Sequence, residues 1–88
     1  MSYIVNKKLI IQKLGKKQII IFNGDSSILY TFNDTATLVF QMLKKHKAID
    51  EITKNVCIQY RVDEKKAKAD IELVIKDFLK KRIFLRNK

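Results

Sequence analysis

Proline is absent and glycine occurs only twice in the 88 residues, which excludes collagen-like, loop-rich and compositionally disordered chains. The single cysteine, Cys57, cannot close an internal disulfide and predicts a reducing, cytoplasmic setting. No apolar run approaches the ~20 residues that span a bilayer. The opening MSYIVNKK lacks the charged, apolar and cleavage regions of a signal peptide. A soluble intracellular protein without a membrane partner is the expectation.

The residues that carry chemistry are scarce too. An enzyme needs a nucleophile, a base and an orienting group within reach of one another. His46 is the one histidine and sits in the run KKHK, where a charge-tolerant helix end is a simpler role than general base. Cys57 follows Val56 and reads as a small buried hydrophobe. One His and one Cys cannot assemble a metal site, and Gly15 and Gly24 stand alone in turns rather than in a phosphate loop. No catalytic residue, metal or cofactor is expected.

Hydrophobic residues make up 47% of the chain, enough for a core in one domain spanning residues 1–88. The net charge is +10, and so basic a balance attracts nucleic acid, membrane surfaces or acidic peptides. The charge is nonetheless spread out: residues 1–32 carry +4 (five Lys, one Asp), 33–62 carry +2 (five basic, three acidic) and 63–88 carry +4 (nine basic, five acidic). Sixteen of the nineteen cations are lysine, which fits a solvated surface better than a focused site.

Leu9 to Leu14 and Gln18 to Phe22 are strand-like runs joined by Gly15-Lys16-Lys17, a hairpin signal. Asn23-Gly24-Asp25-Ser26-Ser27 contains the Asn-Gly pair that tolerates positive φ, and it leads into Ile28–Phe32. That run is apolar at four of five positions, so both faces of the third strand present apolar side chains. Residues 9–32 therefore predict a three-stranded antiparallel meander.

Residues 33–82 predict three helices. Asn33 or Asp34 caps the first, whose core face carries Ala36, Val39, Phe40 and Leu43 and which ends near Lys44-Lys45-His46-Lys47. The second runs from Asp50 to about Tyr60, with Ile52, Val56 and Tyr60 on one face. After the short turn Arg61-Val62, Asp63 caps a third helix built on Ile71, Ile75, Phe78 and Leu79. Ile83-Phe84-Leu85 reads as an extended tail packing back on the domain. The fold class is α+β: a winged helix-turn-helix-like arrangement with the meander in front.

A basic helix-turn-helix suggests DNA, and a small basic winged-helix DNA-binding protein is the alternative function. The last helix would be the reader. Its leading end is acidic, Asp63-Glu64, and between Asp63 and Lys81 there is no Arg, Asn, Gln, Ser or Thr, so the usual base-reading side chains are missing. On the helical wheel Leu73 falls opposite the core face, and Val74 lies on a flank between Asp70 and Asp77. One stray exposed leucine is ordinary; the sharper reading is an apolar stripe that widens one flank into a docking groove.

The stretches ILYTFNDTATLVFQML and AIDEITKNVCIQYRVDEKKAKADIELVIKDFLKKRIFL together resemble the PqqD-like family, peptide-recognition domains of ribosomal peptide-modification pathways. The likeness runs from about Val5 to Leu85. It rests on a strand leading into a Leu-Asn-x-Thr-Ala element, with Phe32 where Leu is usual, then Asp-Glu-Ile, an aromatic before the turn, and the pairs Asp70-Ile71 and Phe78-Leu79. Glycines of the family near the ends of the first and third helices are replaced in the neighbourhoods of His46 and Arg82. The resemblance implies a non-catalytic adaptor that holds a precursor's leader peptide as a strand added to Ile28, Leu29, Tyr30, Thr31 and Phe32. The last helix would face it with Asp70, Val74 and Asp77, with Lys66 and Lys81 nearby, and the lysine excess would steer an acidic leader. The implied partners are the leader and a maturation enzyme, whether a radical S-adenosylmethionine enzyme, a lasso-type leader protease or pyrroloquinoline quinone assembly, with no specific nucleic acid.

A helix that offers only lysines gives weak, salt-sensitive attraction to duplex DNA. A mobility-shift assay at physiological salt should show no sequence preference, and binding that fades as salt rises. Nanomolar, sequence-dependent binding would establish the transcription-factor alternative.

Overall fold

The computed structural model describes residues 2–15 and 18–87. Its elements are β1 (Ser2–Val5), β2 (Leu9–Lys13), β3 (Ile19–Asn23), β4 (Ile28–Thr31), α1 (Asp34–Lys44), α2 (Ile49–Tyr60), α3 (Glu64–Lys80) and β5 (Phe84–Asn87). The expected meander is present as an antiparallel sheet in the order β2-β3-β4. Three helices follow it, in the α+β arrangement that the periodicities predicted.

Alternation sorts the sheet into two faces. Register places Ile11 opposite Ile21 and Ile21 opposite Tyr30, and Ile21 is fully buried under the helices. The other row, Ile10–Phe22–Leu29, faces outward, with Ile10 62% and Leu29 58% exposed. Gly15 takes φ +79° in the β2–β3 turn, a conformation that favours glycine; the two lysines expected in that turn lie outside the described residues. The β3–β4 turn differs from expectation. Asn23 Oδ1 accepts from the Asp25 amide at 3.0 Å, and the left-handed residue is Ser27, at φ 57°, rather than Gly24.

The chain ends form a second sheet that the sequence reading did not contain. β1 pairs antiparallel with β5, Val5 opposite Phe84 and Ile4 opposite Leu85, so the expected tail is a paired strand. Asn6 secures the junction: its amide donates to the Ile83 carbonyl and its Nδ2 to the Arg82 carbonyl, both at 3.0 Å. Four phenylalanines close the core between sheet and helices. Phe78 stacks edge-on against Phe32 (centroids 5.3 Å) and Phe40 (6.1 Å), and tilted against Phe84 (5.5 Å).

Helix ends follow local chemistry. Asn33, one of the two expected caps, accepts from the Ala36 amide at 2.8 Å, and Asp63 accepts from the Lys66 amide at 2.7 Å. α2 starts one residue earlier than expected, at Ile49, with no side-chain cap on Ala48 but with Asp50 and Glu51 in its first turn, where carboxylates suit the positive dipole end. Tyr60, expected on the core face of α2, is exposed at the helix end.

The C-termini of α1 and α3 share one device. The Lys47 amide returns to the Met42 carbonyl and the His46 amide to Leu43; the Ile83 amide returns to Phe78 and the Arg82 amide to Leu79. Each is a doubly bonded cap that requires a left-handed residue, normally glycine, and His46 (φ 60°) and Arg82 (φ 57°) fill those places. These are the two neighbourhoods where the resembling family carries glycine.

A left-handed side chain costs about 1–2 kcal/mol, offset by about 0.5–1 kcal/mol for ordering a glycine. His46→Gly and Arg82→Gly should each therefore stabilise the fold by about 0.5–1 kcal/mol. Thermal unfolding should rise by about 3–6 °C per substitution. A fall in midpoint would show that the side chains hold these turns.

Candidate functional site

β4 is an outer strand of the meander that meets α3 through Phe32–Phe78 and Tyr30–Lys81. β3 occupies one side of it; among the described residues no strand occupies the other. Ile28 and Leu29 are 45% and 58% exposed, Thr31 is exposed and Tyr30 is half-buried. An edge of this kind leaves N–H and C=O groups free to pair with another chain.

Phe32 behaves differently from its neighbours. The strand stops at Thr31, and Phe32 turns down into the core, 7% exposed, against Phe78. Sequence reading extended the edge to Phe32; in the fold this residue is the floor beneath the end of the edge. The cause is Asn33: its capping bond starts α1 immediately after Phe32 and ends the strand.

The facing helix presents Lys66, Asp70, Val74, Asp77 and Lys81 at steps of three or four residues, which places them in one stripe. Val74 is half-buried and packs against the core, as expected for the flank of the core face. Asp77 and Lys81 are also half-buried, while Lys66 and Asp70 are exposed. Leu73 is 65% exposed, opposite the core face as its position on the wheel required.

Two contacts set how strand and helix are staggered. Phe32 meets Phe78, and the Tyr30 ring lies 5.1 Å from the Lys81 ammonium. Moving backward along β4 therefore means moving forward along α3, and the strand overlaps only the last turns of the helix. Asp77 and Lys81 stand beside β4. Lys66, fifteen residues before Lys81, lies roughly 22 Å away along the helix at 1.5 Å per residue. The five stripe residues thus share a face without sharing one contact region.

Lys81 is held twice. Its ammonium is 2.9 Å from Asp77 Oδ2 and sits over the Tyr30 ring, within the ~6 Å range of a cation–π contact. Together these three side chains bridge strand and helix. Sequence reading did not call the ion pair, although the i, i+4 spacing of Asp77 and Lys81 permits it; nothing in the sequence signalled Tyr30 as the third member. Asp77 is neutralised by this pair, whereas Asp70 has no ion pair among the described residues.

No three of His, Cys, Asp and Glu come together as a metal site would need, among the described residues. Cys57 is half-buried and free, and His46 serves as the left-handed cap of α1. Among the described residues no helix is long and apolar enough to cross a membrane.

Against this geometry, the profile of the family described as coenzyme PQQ synthesis protein D (PqqD) matches residues 18–83. Comparison with curated protein sequences gives no match. Two solved structures share the fold. One is described as lasso peptide synthetase B1 complexed with the leader peptide: 17% identity, TM-score 0.88, covering 98% of this chain and 100% of that one. The other, TbiB1 in complex with the TbiA(beta) leader peptide, has 12% identity and TM-score 0.84 and covers 100% of this chain and 99% of that one.

The bridge between strand and helix is measurable. A double-mutant cycle of Tyr30→Leu and Lys81→Met should give a coupling of about 0.5–1 kcal/mol in denaturant unfolding, the size of a partly exposed cation–π pair. A coupling indistinguishable from zero would mean that the two side chains are neighbours without attraction.

Proposed function

The chain belongs to the PqqD family, and on that footing we propose that it is a non-catalytic adaptor, binding the leader region of a ribosomally synthesised precursor peptide and presenting it to a modifying enzyme or leader protease. The observation that carries the reading is the free edge of β4 lying beside the flank of α3. A peptide added there as a strand gains main-chain hydrogen bonds from β4, and its side chains meet the helix wall. Both solved structures of this fold named above hold a leader peptide, which supports the same kind of partner here.

The proposed contact set is Ile28, Leu29, Tyr30 and Thr31 on the strand, with Asp77 and Lys81 beside them and Phe32 beneath. Val74, Asp70 and Lys66 come into play further along. Four strand residues span about 13 Å at ~3.3 Å each, so a peptide reaches Asp70 and Lys66 only by continuing past Thr31 along the helix. The maturation enzyme is a radical S-adenosylmethionine enzyme or a lasso-type leader protease in this reading. The α3 surface carries no base-reading side chains that would favour the DNA alternative.

Hydrogen exchange tests the proposal with synthetic leader peptides of candidate precursors. Amides of Ile28–Thr31 should gain protection when the peptide is added; protection at Leu9–Lys13 instead would misplace the site. Val74→Asp puts a further acid into the stripe between Asp70 and Asp77 and removes apolar contact. Affinity should fall more than tenfold, because an unpaired carboxylate held against a peptide costs several kcal/mol. Val74 is half-buried, so circular dichroism must show that the variant folds, and Val74→Ala gives a milder arm with a smaller loss in the same direction. Wild-type affinity in a folded Val74→Asp variant would remove α3 from the site.

A further inference from the structure

The opposite side of the meander carries a second feature that leader binding does not use. A cavity of about 310 Å³ opens between β2, β3 and the C-terminal end of α1. Its floor is apolar, formed by Ile11, Ile19 and Phe40, of which Ile19 and Phe40 are essentially inaccessible. Its rim holds Lys13, Lys44 and Lys45, with Gln41 between them and no acidic residue. None of the three lysines makes an ion pair among the described residues.

Two other concavities of similar size make the contrast. One of about 370 Å³ combines His46 and Lys47 with Asp50, and Lys47 is paired with Glu51 at 3.5 Å. Another, of about 260 Å³, combines Lys76 and Arg86 with Glu72. Each therefore includes a carboxylate among its cations. Of these three, the cavity beneath β2 alone pairs an apolar floor with cations and no acid among the described residues. Lys44 and Lys45 suit the negative end of α1, but that preference explains neither Lys13, which stands on a strand, nor the cavity between them.

We infer that this cavity is a second docking site, taking an acidic segment of a partner protein that inserts one large apolar side chain between flanking carboxylates. Its volume is at the low end for ligand cavities, enough for one such side chain rather than a cofactor. Charge complementarity selects the occupant: carboxylates answer three unpaired lysines, and a single aromatic or branched aliphatic group answers Ile11, Ile19 and Phe40. β2 and β4 are the two outer strands of the same sheet, so a protein seated here leaves the β4 edge accessible. An adaptor that must hold a peptide and an enzyme at once needs two such separate surfaces.

The test uses the whole chain, isotope-labelled, titrated with a capped Glu-Phe-Glu tripeptide and followed by amide chemical shifts. Saturable shifts should map to Ile11, Lys13, Gln41 and Lys44, and not to Ile28–Thr31. A capped Lys-Phe-Lys tripeptide should bind at least about tenfold more weakly, and so should Glu-Phe-Glu to the doubly reversed Lys44→Glu/Lys45→Glu chain, given a few-fold contribution from each exposed pair. If that variant does not fold, Lys44→Gln/Lys45→Gln should still weaken binding several-fold. Equal binding of the two tripeptides, shifts on the β4 edge, or lysine variants that bind as tightly as wild type would each overturn the site. Decanoate shifting these amides where Glu-Phe-Glu does not would assign the cavity to a lipid-derived anion and overturn the protein partner.

Discussion

The placement of Phe78 is the constraint on which the rest of the architecture depends. Its ring touches Phe32 at the end of β4, Phe40 in the middle of α1 and Phe84 at the start of β5, so one side chain ties the meander, the helices and the closing strand to α3. Aromatic pairs at such separations add about 0.5–1.5 kcal/mol each beyond their buried area. The contribution to position matters more than the contribution to stability. With Phe78 against Phe32, Lys81 lies about one turn further on, over Tyr30 and paired with Asp77. Moving Phe78 by one helical position would rotate the flank carrying Asp77 and Val74 by about 100° and dismantle the cleft without touching any residue that lines it.

The two apolar rows of the sheet have different meanings once it is formed. On the inner face Ile11, Ile21 and Tyr30 continue into the core. On the outer face Ile10, Phe22 and Leu29 lie in one row across all three strands, with Ile10 and Leu29 largely exposed. The apolar character of both faces of Ile28–Phe32 therefore resolves unequally. One face is covered by the chain's own helices, and Phe32, which looked like part of the edge, belongs to that covered side. The free groups of the edge itself are main-chain atoms, which no pattern of side chains can advertise.

What could be read from the sequence was what local chemistry decides. Asn33 and Asp63 cap their helices because a short acceptor three residues before an amide is a property of six consecutive residues or fewer. The meander followed from alternation and a glycine turn. Pairings between distant parts of the chain were not readable. β1 and β5 are four residues each, too short to declare themselves, and gain their stability from each other across nearly the whole length of the chain. The Tyr30–Lys81 contact depends on the stagger of a strand against a helix, which neither segment encodes alone. The left-handed caps at His46 and Arg82 were not readable by residue type, since residues other than glycine uncommonly take positive φ. Ser27 in place of Gly24 shows the reverse error, in which a permissive residue was available and the turn did not use it.

The shortness of β4 limits what strand addition can accomplish by itself. A four-residue edge offers its outward groups on alternate residues, about four hydrogen bonds at most, each worth a net 0.5–1.5 kcal/mol. That is about 2–6 kcal/mol, against an association cost of at least about 4 kcal/mol and often much more. Main-chain pairing alone would leave a peptide unbound at micromolar concentration, which requires about 8 kcal/mol net. The balance has to come from side chains buried against Tyr30, Val74 and the floor at Phe32, at about 25 cal/mol per Å² of apolar surface. In the proposed site the edge would thus set the direction of a bound strand, and the flank of α3 would decide which strand is held.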